Sequence, residues 1–207
     1  MQKLLRNYFD FTNKNVVILG GSKGIGLTIT KELINLGATV IIVSRTKPNL
    51  NVVFYKCDFE NLQEVKEVAK KIKKDYKKNW AIVNALAITI PSNEKIQLPE
   101  IFEKIINVNL VNHYYFISGM VSTVEVGGSI LNISSIYGDL AFPGNPSYSS
   151  SKSGLNGLTR SLSYDLSKKK IRVNSLSAGY IKSNMTKKSY NNKIKRKKIS
   201  GHTLLGR

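Results

Sequence analysis

The segment Gly20-Gly21-Ser22-Lys23-Gly24-Ile25-Gly26 constrains this chain more than any other. It follows a short continuous apolar run in residues 15–20, Val-Val-Ile-Leu. It opens residues 24–36, where Ile25, Ile29, Leu33 and Leu36 recur at helical spacing until Gly37 stops them. An apolar run without alternation fits a strand buried on both faces, as in a parallel sheet. Glycines between such a strand and a helix meet three needs: a tight turn, close approach of a ligand to the backbone, and close helix–strand packing. The helix start then offers free N–H groups and the positive end of its dipole to a pyrophosphate. Gly20, Ser22, Lys23, Gly24, Ile25 and Gly26 are therefore candidate cofactor-binding residues. Glycines alone also serve ordinary turns; the place between a first strand and a first helix selects the nucleotide-binding reading.

The rest of the chain repeats that alternation. Further strands are predicted at 39–44, 51–55, 80–86, 129–134 and 171–176, and helices at 61–78, 101–121 and 147–167. Six strands alternating with helices predict an α/β fold, a Rossmann-type doubly wound parallel sheet with helices on both faces and right-handed crossovers. At 207 residues with no internal repeat, the chain reads as a single dinucleotide-binding domain over 1–207. Residues 186–207 are rich in lysine and asparagine and read as a lid or terminal segment, a mobile loop or short helix.

Composition narrows the function classes. No apolar run approaches the ~18 residues of a membrane span, and the first 15 residues hold no signal-peptide core. One cysteine, Cys57, excludes an internal disulfide, and two histidines, His113 and His202, give no metal-ligand spacing. These features predict a soluble, cytoplasmic protein with no membrane and no metal. Lys and Arg number 32 against 13 Asp and Glu, a net charge of +19. A basic chain can bind nucleic acid. Here the lysines are spread along the sequence, which fits a solvated basic surface, with the densest cluster at 193–198.

The end of the second strand selects the cofactor. An acidic residue there would bind the ribose hydroxyls of NAD and repel a 2′-phosphate; this chain has Ser44-Arg45-Thr46. Arg45 can pair with a phosphate in bidentate fashion, with Lys23 as a second cation. NADP(H) is the expected cofactor and NAD(H) the alternative.

Tyr148 and Lys152 lie four residues apart and share a face of a predicted helix. A phenol with a pKa near 10 is a poor base at neutral pH, and a neighbouring cation favours the phenolate. A pair at this spacing is by itself a common accident. The context changes that: a buried strand ends in Ile133-Ser134-Ser135, and the C-terminal ends of parallel strands line the ligand crevice. A serine hydroxyl there can bond a substrate carbonyl and the alkoxide it becomes.

With these residues in view the chain resembles the short-chain dehydrogenases/reductases of the single-domain type, and among them the 3-oxoacyl-[acyl-carrier-protein] reductases. The resemblance runs from about residue 15 to the last residue. It rests on Gly20, Gly24 and Gly26, Asp58 after the third strand, Asn84 in Val-Asn-Ala-Leu-Ala and Asn109 in Asn-Val-Asn-Leu. Asn-Ile-Ser-Ser at 132–135, Tyr148 with Lys152, and Arg-Val-Asn at 172–174 complete it. The resemblance implies an oxidoreductase that moves a hydride between a nicotinamide and a carbonyl or secondary alcohol. Tyr148 would be the acid/base, Lys152 would lower the tyrosine pKa and bond the nicotinamide ribose, and Ser135 would polarise the carbonyl. Asn109 would hold a water in a proton relay through Lys152. Asp58 would contact the adenine, Asn84 would brace the sheet beside the cofactor, and Ile181 and Ser183 would meet the nicotinamide side.

The chain departs from the family pattern in several places. Leu19 stands where a threonine is usual, Ala85 and Ala87 replace Asn and Gly after the fourth strand, and Ala178 replaces proline after the sixth. The alanines predict a narrower or weaker cofactor cleft. By the usual length of such a domain, the resemblance implies about 40 further residues of a typical member that would follow residue 207. They would supply a helix, a seventh strand and much of a subunit interface. The sixth strand is thus expected as an exposed edge, and a homo-oligomer would be compromised. A catalytically impaired nucleotide-binding or interaction protein of the same family is the alternative function. The basic segment suits an anionic or acyl-carrier-linked substrate, and equally a solvated lysine run. The joint presence of Asn109, Ser135, Tyr148 and Lys152 argues against nucleic acid as the main partner. Cys57, His113, Trp80 and Tyr137 read as packing residues, Tyr137 being close enough to Ser135 to touch substrate.

Overall fold

A computed structural model describes residues 9–92, 96–183, 185–201 and 203. Among these residues six parallel strands form one sheet: β1 Asn15–Leu19, β2 Thr39–Ser44, β3 Val53–Lys56, β4 Asn79–Asn84, β5 Val124–Ser135 and β6 Arg172–Ala178. Their spatial order is β3-β2-β1-β4-β5-β6. The doubly wound parallel sheet expected from the alternation is present. The order reverses between β1 and β4, which opens a crevice at their C-terminal ends.

The continuous apolar runs have the predicted cause. On β1 and β2, Val17, Leu19, Ile41 and Val43 enter one core layer, while Val16, Ile18, Val40 and Ile42 enter the other. Successive side chains point to opposite faces, and both faces are covered. The first layer is closed by α2, Leu62–Asp75, through Val65, Ala69 and Ile72, and by α4, Asn112–Met120, through Phe116, Ile117 and Met120. Asn61 caps α2, its side chain accepting from the N–H groups of Gln63 and Glu64. The second layer is closed by α1, Gly24–Asn35, through Ile29, Leu33 and Ile34.

The helix expected over 101–121 is two helices. α3, Pro99–Ile106, and α4 are joined by a wider π turn, Asn107–Val111. Such turns insert one extra residue into the helical ladder and often mark functional positions. This one buries Asn109. β5 starts at Val124, five residues before the expected 129, because Gly127, at φ +83°, and Gly128 disguise its first part. Its pairing with β4 shifts register there. α5, Pro146–Asp165, buries an unusually polar stripe that includes Ser147, Ser151, Lys152, Asn156 and Thr159. The basic segment folds into two short helices, α6 Lys187–Asn191 and α7 Lys193–Gly201. His202 and residues 204–207 lie outside the described residues, as do residues 1–8.

Among the described residues β6 pairs with β5 and lies at the edge of the sheet. Four of its central residues, Asn174 to Ser177, are open, with Leu176 55% exposed. Among the described residues no helix is long and apolar enough to cross a membrane. Nor does any group of three or more His, Cys, Asp or Glu stand ready for a metal among them.

Candidate active site

A cleft of about 600 Å³ runs along the C-terminal ends of the strands. One end is lined by Arg45 and Asp58, beyond β2 and β3, next to Gly20, Ser22, Lys23, Gly24 and Ile25 beyond β1. The far end, beyond β5, is lined by Ser135 together with Tyr148 and Lys152. Ile181 and Ser183 roof it, together with Met185 and Thr186. Twelve of the residues singled out in the sequence thus share one space. Gly26, Asn84 and Asn109 are not in its lining and act from behind it.

Gly26 acts through the atom it lacks. A Cβ there would stand 2.2 Å from the carbonyl oxygen of Gly20, an impossible contact. Gly20 and Gly24 have φ of +75° and +53°, the left-handed region that favours glycine. The space at Gly26 also accommodates Ala85, whose methyl would be 3.2 Å from a side chain at 26. Asn84 accepts from the N–H of Leu86 at 3.1 Å and so shapes the loop after β4. Asn109 holds the same loop: its Oδ1 accepts from the N–H of Ile88 at 2.8 Å, and its Nδ2 donates to the Ile88 carbonyl at 2.9 Å. Nδ2 also donates to Ser151 Oγ at 3.1 Å, which ties the loop to α5.

The far end is built from side chains. Ser135 closes β5, buried, and its Oγ accepts from the N–H of Tyr137 at 3.2 Å. Tyr148 stands in the first turn of α5. Burial raises its phenol pKa above the usual 10, and hydrogen bonding with Ser135 opposes that shift. Lys152 follows one turn on, only 2% exposed, with Nζ 5.8 Å from the Tyr148 ring centroid. Nζ donates to the Ile133 carbonyl at 2.8 Å. Burial lowers its pKa from 10.5 to about 8. The lysine that lowers the tyrosine pKa in the sequence argument here bonds β5, and the tyrosine shift goes upward.

Sequence reasoning missed the residues that hold this end in place. Buried Gln97 accepts from the Ser147 N–H at 3.2 Å, at the N-terminus of α5, and donates to the Ile90 carbonyl at 2.7 Å. Asn145 donates to Thr89, and Ser92 N–H to the Gly144 carbonyl at 2.8 Å. These loop polar groups follow no motif, so no sequence signal pointed to them. The remaining candidates pack as expected. His113 is fully buried against Asn132 at 2.9 Å, and burial holds its pKa at about 4. Burial pushes the Cys57 thiol up to about 12, which leaves it no nucleophile. Trp80 lies under Lys14, 4.0 Å from the ring centroid.

A glycine-turn cleft at the switch point, ending in a buried Ser, Tyr and Lys, defines a dinucleotide-dependent oxidoreductase. The family described as short chain dehydrogenase matches residues 14–194, and the chain belongs to it. It is an NAD(P)-dependent oxidoreductase acting on CH–OH groups. The chain is 34% identical over 190 residues to the 3-oxoacyl-[acyl-carrier-protein] reductase FabG of Rickettsia typhi, covering 86% of this chain and 77% of that protein. The corresponding protein of Rickettsia felis is 36% identical over 187 residues, with the same coverage. A solved short chain dehydrogenase family protein of Francisella tularensis superposes with a TM-score of 0.86 at 28% identity, over 94% of this chain and 84% of that one.

Proposed function

We propose that the chain reduces a carbonyl to a secondary alcohol with NADPH, and runs the reverse oxidation with NADP⁺. The observation that carries this reading is the meeting of Ser135, Tyr148 and Lys152 at one end of a cleft whose other end holds Lys23 and Arg45. The glycine turn and the N-terminus of α1 suit the pyrophosphate. Arg45 and Lys23 suit a 2′-phosphate, with no acidic residue at the end of β2 to oppose it. Asp58, which lines the cleft, would contact the adenine, and Ile181 and Ser183 would cover the nicotinamide side. When bound, the nicotinamide supplies the hydride.

The protein's own residues handle the oxygen. Ser135 Oγ donates to the substrate carbonyl and polarises it. The raised pKa of Tyr148 keeps its phenol protonated at neutral pH, so its proton is available as the carbonyl oxygen becomes an alkoxide. Lys152, as an ammonium, stabilises the phenolate left behind and offers a donor to the nicotinamide ribose. Asn109 is a positioning residue: through Ser151 it fixes the turn of α5 that carries Tyr148, and through Ile88 the wall of the cleft.

The substrate suited to this site is a small carbonyl compound carrying an anionic or acyl-carrier-linked group. Lys182 lies within the roof of the cleft, and Lys187, Lys193, Arg196 and Lys197 follow it, all exposed. The Rickettsia relatives are named for an acyl-carrier-protein substrate. The test is NADPH oxidation with a panel of 3-oxoacyl thioesters and activated ketones. Tyr148→Phe should lower kcat by about 10²- to 10⁴-fold, the usual contribution of a positioned general acid, with NADPH binding retained. Wild-type turnover no better than the variant, with NADPH binding intact, sinks the catalytic assignment.

A further inference from the structure

Ser135 is followed by a short 3-10 turn, Ile136–Gly138, which carries Tyr137. Tyr137 lies outside the cleft, yet it sits in a continuous line of contacts. Its ring stacks on Phe142, with centroids 4.1 Å apart and planes 9° apart. Phe142 turns its edge toward Tyr148, at 5.9 Å and 80°. On its other side Tyr137 meets Tyr180 edge-on at 5.9 Å, and the two hydroxyls share a hydrogen bond of 2.8 Å. Tyr190, on α6, donates its hydroxyl to the Tyr180 carbonyl at 2.9 Å. The line therefore runs from the acid to the basic segment.

Tyr180 occupies a mechanical position. β6 ends at Ala178, and nothing lies within 4 Å of where a Cβ on Gly179 would sit. Gly179 thus has open space where a side chain would stand, and Tyr180 is the next residue. Ile181, Ser183 and Thr186 then close a turn: Thr186 Oγ1 donates to the Ile181 carbonyl at 2.7 Å and accepts from the Ser183 N–H at 2.9 Å. This turn roofs the cleft, with Ser183 Cβ 3.6 Å from where a Cβ on Gly24 would lie. The near end of this roof is Tyr180, and Tyr137 grips it there through ring and hydroxyl.

We propose that Tyr137 is a positioning residue for the reaction. Its hydroxyl, through Tyr180, holds the roof over the cleft, and its ring, through Phe142, keeps Tyr148 in register with that roof. The proposal rests on the reading that the cleft binds NADP(H). Loss of one such hydrogen bond weakens cofactor binding by about two- to tenfold.

The test compares wild type, Tyr137→Phe, Tyr180→Phe and the double variant. NADPH dissociation constants are measured by fluorescence without substrate, and release rates by stopped flow. Each single variant loses one oxygen and keeps its ring, so the fold is retained. Each should raise the dissociation constant by about two- to tenfold, mainly through faster release. The double variant should bind no worse than the weaker single, because the same bond is broken in all three. The kcat/KM for NADPH should fall more than kcat. A purely structural role would lower the melting temperature without this pattern. Singles that bind like wild type, or losses that multiply in the double, overturn the proposal. A wild-type protein that does not bind NADPH overturns the cofactor reading itself, and the latch with it.

Discussion

The two ends of the cleft are built from different materials. The phosphate end is backbone: two glycines at positive φ and a third whose missing Cβ leaves room for a carbonyl oxygen. The chemical end is side chain: Ser135, Tyr148 and Lys152, with burial shifting the phenol up and the ammonium down. The first works because certain atoms are absent. The second works because ordinary residues stand in a dry place, where each resists ionisation. Damage should therefore differ in kind. At the chemical end a lost atom removes a step and leaves the cleft standing. At the phosphate end an added atom displaces the backbone and weakens everything that rests on it.

Ser135→Ala gives the largest effect on this contrast. Removing a donor aimed at a developing oxyanion costs about 10²- to 10³-fold in kcat. NADPH affinity, measured by fluorescence titration, should stay near the wild-type value. Gly26→Ala should do the opposite. Its methyl cannot sit 2.2 Å from the Gly20 oxygen, so α1 must move away from β1. A shift of that kind costs about 1–3 kcal/mol, seen as a lower melting temperature together with weaker NADPH binding. A Gly26→Ala protein that melts and binds normally but turns over slowly would erase the distinction between the two ends.

The same contrast explains how much could be read from the sequence. The sheet was legible because strands buried on both faces write themselves as Val-Val-Ile-Leu and Val-Ile-Ile-Val. The glycine turn was legible because only glycine tolerates its geometry. The place of β6 at an edge was expected through the resemblance rather than its composition; among the described residues its partner is β5. The break between α3 and α4 was not legible, because a π turn keeps helical composition and changes only the ladder. The start of β5 was hidden by two glycines. At the site, residue identities could be read and their states could not. Burial of Lys152 against the Ile133 carbonyl depends on the polar inner stripe of α5, which no local pattern announces. Gln97 was missed for the same reason: its two partners are 7 and 50 residues away.

Cofactor choice sharpens the comparison at the phosphate end, where Arg45 adds a side chain to a backbone site. Arg45→Asp removes a charge-assisted pair with a 2′-phosphate and adds a repulsion. NADPH affinity should fall by roughly tenfold to a hundredfold, while NADH affinity changes far less. Parallel titrations of the two cofactors decide it. Equal losses would take Arg45 away from the 2′-phosphate and leave the pyrophosphate turn as the whole of that end.

The smallest effect is a pH limb, and it belongs to the chemical end alone. The Lys152 ammonium is the form that steadies the phenolate of Tyr148. Its pKa in the folded protein is about 8, against an ordinary 10.5, because burial disfavours the charge. The working form is thus present below pH 8 and is lost as pH rises through 8. The kcat/KM for carbonyl reduction reports the free enzyme, so it should be level near pH 7 and decline above about 8, by at most tenfold per unit. Lys152→Arg keeps a permanent cation, so whatever activity it retains should lack that limb. A wild-type limb near pH 10 would mean that Lys152 is solvated in solution, and the chemical end would then lose the dryness that sets it apart from the phosphate end.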